Sequence, residues 1–277
     1  MAGSSVRASG PRSGARPNGS RFRAFFSSLR LPSPVVERLE ATALVTGGAH
    51  RVGRAIAIGL AETGCDLVLH YGSSEEQAKA TATEARACGV RVTIVGADLA
   101  DPDAPTRLLA AAEGLNPVQY LVNSAAVFPH DDLAGVTPEQ WDHTLAVNLR
   151  APVLLTRAFA AALPEDLEGA VVNVTDWRTE RPYPDHFSYT VAKGGLDTFT
   201  RAAAEALAPR IRVNTVALGA ILPPPGRDSA YLKALARQIP AGRPGGTAPV
   251  VAAVLFLLRT PFITGEILRV DGGAHLR

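Results

Sequence analysis

From residue 41 onward, short apolar runs alternate with longer stretches in which apolar residues recur every three or four positions. The runs read as strands and the longer stretches as amphipathic helices. Residues 43–46 form the first predicted strand, and 52–63 the first helix, with Ile56, Ala57 and Leu60 on one face and Gly64 as its stop. Strands at 66–70, 91–96 and 120–123 then alternate with helices at 74–87 and 103–113, the first of these capped by Ser73 or Ser74. In the second half, Thr137 and Gln140 have the spacing of a capping box and open a long helix, which Pro152 should bend or restart. A strand at 170–174, a helix at 187–207, a strand at 211–217, a helix at 249–258 and a strand at 266–270 complete the pattern. Strands and helices alternating at this length demand right-handed crossovers. The expected fold class is α/β, a single doubly wound Rossmann-type parallel sheet of about seven strands with helices on both faces. No linker divides residues 41–277, so they are expected to form one domain.

Residues 1–40 break the pattern. They are rich in Ser, Gly, Pro and Arg, without periodicity, and are expected to be a disordered basic extension. Their composition also suits an organelle transit peptide or a basic arm for an acidic partner. A dispensable tail on a cytoplasmic protein is the expectation adopted. Charge sharpens the division. Residues 1–36 hold six arginines and no acid, leaving 22 basic against 26 acidic residues in the remainder. A body with that balance has no nucleic-acid footprint. Apolar residues make up 47% and charged residues 19%, the proportions of a soluble globular protein. The longest apolar run, 250–258, falls short of the roughly 18 residues a membrane span needs. Cys65 and Cys88 have neither metal-ligand nor redox spacing and read as reduced thiols; no metal site is expected.

The junction of first strand and first helix carries Thr46, Gly47, Gly48, Ala49, His50, Arg51, Val52 and Gly53. Glycines there permit a tight turn, and a helix N-terminus offers N–H groups and a positive dipole to a pyrophosphate. In an NAD-binding fold of this kind an acid usually ends the second strand and takes the ribose hydroxyl. Asp66 instead starts that strand, and its far end reads His70, Tyr71, Gly72, Ser73, Ser74. Without a carboxylate to repel it, a 2′-phosphate is accepted, and Arg51 supplies a permanent forked cation. The expected cofactor is NADPH/NADP+.

Tyr189 and Lys193 begin the long helix at i, i+4 spacing, one turn apart on one face. An ammonium beside a phenol should lower the phenol pKa and let it exchange a proton with a substrate oxygen. The chain has 25 arginines and only three lysines, so Lys193 stands where an ammonium is the better tool. Asn123, Ser124 and Ala125 end the fourth strand at the same edge, and Asn148 lies in the long helix that follows.

In this order Thr46, Gly47, Gly53, Asp98, Asn123, Asn148, Tyr189, Lys193 and Gly219 resemble the short-chain dehydrogenase/reductase family over residues 41–273. The resemblance implies that Tyr189 donates the proton, Lys193 holds the nicotinamide ribose and tunes Tyr189, and Asn148 anchors a relay water. It places Asp98 and Leu99 at the adenine, and Thr46, Gly47, Arg51, Val52, Gly53, His70, Tyr71, Ser73, Ser74, Asn123, Ser124, Ala125 and Gly219 around the cofactor. Two positions depart from the family's usual pattern. Arg51 replaces a glycine, and Asp176 stands where the catalytic serine is expected, thirteen residues before Tyr189. Both are similar to the pteridine reductase branch and its dihydromonapterin and dihydrofolate reductase relatives, as are Leu69-His70-Tyr71 and Phe128, which there stacks on the pterin ring. That branch often has Arg where Ser73 stands here. Asp176, Tyr189, Lys193 and Asn148 are therefore the expected catalytic set, and Phe128, Trp177 and Ile221 the expected substrate contacts. Arg178, Arg181 and the loop Pro223-Pro224-Pro225 match no pterin contact. The implied activity is NADPH-dependent reduction of a small substrate such as a pterin, in a homotetramer. A carbonyl reductase acting on a ketone or 3-oxoacyl thioester, expected to carry Ser at 176, is the enzymatic alternative. A non-catalytic NADP-binding regulator is the alternative of another class.

Overall fold

The computed structural model describes residue 39, residues 41–224 and residues 226–277. The extension expected at 1–40 therefore lies almost wholly outside the described residues. Seven parallel strands form one sheet in the order β3-β2-β1-β4-β5-β6-β7. They are β1 (Thr42–Thr46), β2 (Asp66–Tyr71), β3 (Val92–Gly96), β4 (Val118–Asn123), β5 (Gly169–Asp176), β6 (Ile211–Leu218) and β7 (Ile267–Val270). The order runs outward from β1 to β3, then resumes on the other side of β1 with β4. That reversal leaves a crevice between the carboxyl ends of β1 and β4, where ligands of open α/β sheets bind.

Helices cover both faces. On one lie α1 (Arg51–Glu62), α2 (Glu75–Ala87) and α8 (Ala248–Arg259), which bury Ile56, Leu60, Ala82, Val254 and Leu257. On the other lie α3 (Ala104–Ala110), α5 (Ala151–Ala162) and α6 (Phe187–Leu207), which bury Leu108, Leu155, Phe159 and Ala203. Strands such as Val171-Val172 are buried on both faces, so they read as continuous apolar runs rather than alternating ones.

The element order matches the sequence reading apart from three details. A helix at Ser229–Ala236 (α7), capped by Asp228 through the Tyr231 N–H at 2.9 Å, gave too few periodic positions to be seen. The helix expected at 103–113 stops at Ala110, and turns carry the chain through Gly114 at φ 83°. The long helix opens at α4 (Pro138–Leu145) with the expected capping box in place, Thr137 to Gln140 in both directions. Its restart takes the form of a π turn, Ala146–Arg150, directly before Pro152 in α5. The proline has no N–H to give, and the widened turn absorbs the missing bond. By length and composition the continuous stretch Pro138–Ala162 is apolar enough to cross a membrane. Here it lies along the sheet with Leu155 and Phe159 fully buried.

Candidate active site

Because the strands are parallel, their carboxyl ends deliver every candidate loop to one edge of the sheet. Thr46 closes β1, and its Oγ1 accepts the N–H groups of Ser124 and Ala125 at 3.0 and 3.1 Å. This fastens the turn after β1 to the chain leaving β4. Gly47 then adopts φ 66°, a region that favours glycine, and a Cβ there would stand 2.9 Å from Ala125 Cα. Gly53 packs on the main chain of Gly47, and Val52 on the core. The N-terminal N–H groups of α1 receive no side-chain cap, and its first turn holds no acid. Uncapped donors, a helix dipole and a turn without side chains fit a dinucleotide diphosphate.

His70 is 2% exposed and supports this turn from behind. Its Nδ1 accepts the Gly47 N–H at 3.1 Å, and its Nε2 meets Ala97 O at 3.0 Å. A carbonyl only accepts, so Nε2 carries the proton, and burial holds the imidazole pKa below its ordinary value. The residue expected to touch the cofactor therefore clamps the ends of β1, β2 and β3 with its whole side chain. Tyr71 lies over Gly96, where a Cβ would meet its ring at 2.9 Å. Ser73 is exposed and Ser74 half-buried beyond β2. Asp98 is exposed, its Oδ1 accepting the Ala100 N–H at 2.8 Å, while Leu99 is buried in the core. Gly219 lies against Asp271 and leaves no room for a side chain. Arg51, itself at φ 57°, donates to Pro223 O at 2.7 Å and so joins the turn after β1 to the loop after β6.

Asn123 is also interior. Its Nδ2 donates to Asn173 Oδ1 at 2.9 Å, Asn173 Nδ2 to Thr200 Oγ1 at 2.9 Å, and Thr200 Oγ1 meets Thr215 Oγ1 at 2.8 Å. This chain of buried amides and hydroxyls bonds β4, β5, α6 and β6 together. Asn148, in the π turn, accepts the Val127 N–H at 3.0 Å and donates to Val127 O at 2.9 Å. Its side chain is spent on fixing the segment that presents Phe128. A water held there would have to be held through the main chain.

Asp176 ends β5 and Tyr189 lies in the first turn of α6. The Tyr189 hydroxyl donates to Asp176 Oδ2 at 3.3 Å, and Asp176 Oδ1 accepts the main-chain N–H of Arg178 at 3.0 Å. Burial pushes the Asp176 carboxyl above the usual carboxylate range. Burial and the neighbouring carboxylate push the Tyr189 phenol well above its ordinary value. This reverses the expectation of a phenol lowered by Lys193. The ammonium donates instead to Val174 O at 2.8 Å, stands 5.8 Å from the Tyr189 ring centre, and is itself pushed down to about 8 by burial. Desolvation outweighs the cation at this distance.

Around this pair stands an aromatic wall. Phe128, 40% exposed, meets Tyr189 edge-on at 4.6 Å and stacks flat on His186 at 3.7 Å and 11°. His186 takes φ 52°, held by that stacking and by the hydrogen bond between its Nδ1 and Pro129 O. The Arg178 guanidinium lies 5.8 Å from the Phe128 ring centre and 5.3 Å from that of Tyr183, and Trp177 meets Tyr183 at 5.6 Å. Ile221 is buried in the core, packed by Gly245 rather than offered to a substrate. Nothing in the local sequence pattern marks His186 or Tyr183, nor the buried Asp131, whose carboxylate accepts from Ser188 Oγ and N. Each acts through a loop contact between distant segments.

A family described as Enoyl-(Acyl carrier protein) reductase matches residues 47–275. The chain is similar to a putative ketoacyl reductase of granaticin polyketide synthase from Streptomyces violaceoruber, at 35% identity over 84% of this chain and 96% of the relative. It is 30% identical to a short-chain type dehydrogenase/reductase of Picea abies, over 83% of this chain and 91% of the relative. Among solved structures, FolM alternative dihydrofolate reductase 1 from Brucella canis, complexed with NADP, superposes with a TM-score of 0.83 at 35% identity. That match covers 87% of this chain and 96% of the other.

Proposed function

The chain belongs to the short-chain dehydrogenase/reductase family of oxidoreductases, and on that premise we propose that it uses NADPH to reduce a flat nitrogen heterocycle of the pterin or dihydropterin type. The observation that carries this reading is the buried Asp176–Tyr189 hydrogen bond of 3.3 Å beside the exposed ring of Phe128. Support for the cofactor comes from the uncapped N-terminus of α1, the Arg51 guanidinium at the same turn and the acid-free end of β2. Lys193 and the main chain of Asn123, Ser124 and Ala125 complete the cofactor side.

NADPH supplies the hydride. Phe128, one face of which is taken by His186, offers the exposed part of its ring to the substrate, and the Asn148 clamp on Val127 keeps Phe128 in place. Asp176 keeps a proton at pH values where an ordinary aspartate has lost it, and Tyr189 fixes the carboxyl by donating to Oδ2. Asp176 passes that proton to the ring nitrogen next to the carbon that accepts the hydride. A carbonyl reductase would be expected to carry Ser where Asp176 stands. The ketoacyl reductase relative supports the carbonyl reductase reading as the second one. Pterins, quinones and oxoacyl thioesters scored by NADPH oxidation separate the two. The parent is expected to reduce a pterin, and Asp176→Ser to lose at least about a hundredfold in pterin turnover with NADPH binding unchanged. Unaltered pterin turnover in that variant, or a parent that prefers a ketone, replaces this reading with the carbonyl reductase. No oxidation with any substrate leaves the nucleotide-binding regulator.

The proposal includes a homotetramer. On α5 and α6, Leu155, Phe159 and Leu196 are buried within the protomer, which leaves Leu154, Phe199 and the exposed Val191 as apolar positions for its interfaces. Light scattering at micromolar protein should give about four times the 29.0 kDa chain mass. The mass of one chain would refute the assembly.

A further inference from the structure

The wall beside the Asp176–Tyr189 pair carries a cation whose side-chain donors the proton transfer leaves unused. Arg178 enters the site from the 3₁₀ turn Trp177–Thr179, whose start is fixed by the Arg178 N–H on Asp176 Oδ1. Its side chain is 21% exposed, lying between the rings of Phe128 and Tyr183. A guanidinium has five N–H donors. Among the described residues one of them has an acceptor, Asp185 Oδ1 at 3.5 Å, the outer limit of a hydrogen bond. The adjacent acid Glu180 is engaged elsewhere, with Arg269, and so does not neutralise Arg178. The site thus reads in sequence from its buried end: a carboxyl and phenol, an apolar ring face, then a flat cation with most of its donors unspent, edged by the exposed Tyr183.

We propose that Arg178 recognises an anionic carboxylate on the substrate end remote from the reacting ring, so that the enzyme selects heterocycles with an acidic side chain over neutral ones. This rests on the heterocycle reading above and adds the residue that discriminates within that class. The forked guanidinium suits a planar carboxylate bidentately. Phe128 and Tyr183 shield the pair from water on two sides, which strengthens it relative to a surface pair. Asp185 is the competing anion. With a 41% exposed side chain and only long contacts, 3.5 Å to Arg178 and 3.9 Å to His186, it yields readily to a better-placed carboxylate.

The test uses binding, so that it is independent of turnover. Trp141 and Trp177 are the chain's two tryptophans, and Trp177 adjoins Arg178. In a Trp141→Phe background saturated with NADP+, Trp177 fluorescence reports titration with 4-aminobenzoate and with its neutral counterpart 4-aminobenzamide. The carboxylate should bind at least about tenfold more tightly than the amide. Arg178→Met should bring that ratio to near one, and Arg178→Lys should keep part of it. Asp185→Asn should raise the ratio by removing the competitor, which a merely structural arginine would not do. Equal binding of the two probes in the parent, a ratio that survives Arg178→Met, or a ratio unchanged by Asp185→Asn would each overturn the proposal. Failure of every pterin in the NADPH assay, with the ratio intact, would overturn the heterocycle reading and leave the anion site standing.

Discussion

The properties of single residues here are set by what surrounds them more than by their type. Asp176 is the clearest case. A free aspartate is ionised at neutral pH, but burial opposes the charged form and outweighs the Arg178 N–H and the Tyr189 hydroxyl that favour it. The sign of the pH effect follows. Below its raised pKa Asp176 is protonated and can donate; as pH rises through that value the proton is lost. kcat/KM for the heterocycle should therefore fall on that alkaline limb. Asp176→Asn, which cannot titrate, should give a lower but flat profile over the same range, read from kcat/KM against pH. A limb that persists unchanged in the variant would assign it to another group. Both the identity of Asp176 and its place thirteen residues before Tyr189 were visible along the chain. The direction of the Tyr189 shift was not, because sequence spacing brings Lys193 near in number while the ammonium turns toward Val174 O.

At the level of elements, a local capping rule held at the start of α4 but not at the start of α2, where Ser74 takes the cap position without a side-chain hydrogen bond. The Thr137 and Gln140 capping box formed as its spacing implies, with side chain to main chain distances of 3.3 and 3.4 Å. Thr137→Ala should cost about 1 kcal/mol of stability. It should appear as a lower denaturation midpoint with an unchanged slope in urea. Local rules were silent where an element is shaped by a distant one. The π turn at Ala146–Arg150 holds Asn148 against Val127, twenty-one residues earlier. Likewise His186, the residue before α6, takes a left-handed conformation because it is pinned against Phe128 and Pro129.

For the whole molecule, the parallel sheet is what makes a site out of scattered loops. It brings Arg51, after β1, within 2.7 Å of Pro223, after β6. A guanidinium has donors enough for that carbonyl and a phosphate together. NADPH should bind more tightly than NADH, and Arg51→Gly should lose most of the preference. Titration of both nucleotides against parent and variant checks this, and equal affinities in the parent would count against the 2′-phosphate role of Arg51.

The sequence by itself determined the fold class, the order of the strands and of every helix but α7, and the glycine turn, Asp176, Tyr189 and Lys193. These follow from periodicity and from short-range spacing, which chain connectivity carries into space unchanged. Only the tertiary structure decided the tasks of the His70, Asn123 and Asn148 side chains, which serve as internal ties. It likewise assembled Phe128, His186, Tyr183 and Arg178 into one wall. Those groups are up to 58 residues apart in the chain. What a polar or aromatic side chain does depends on which partners satisfy it, and partners at that separation are chosen by the packing of the sheet edge rather than by the neighbours in sequence.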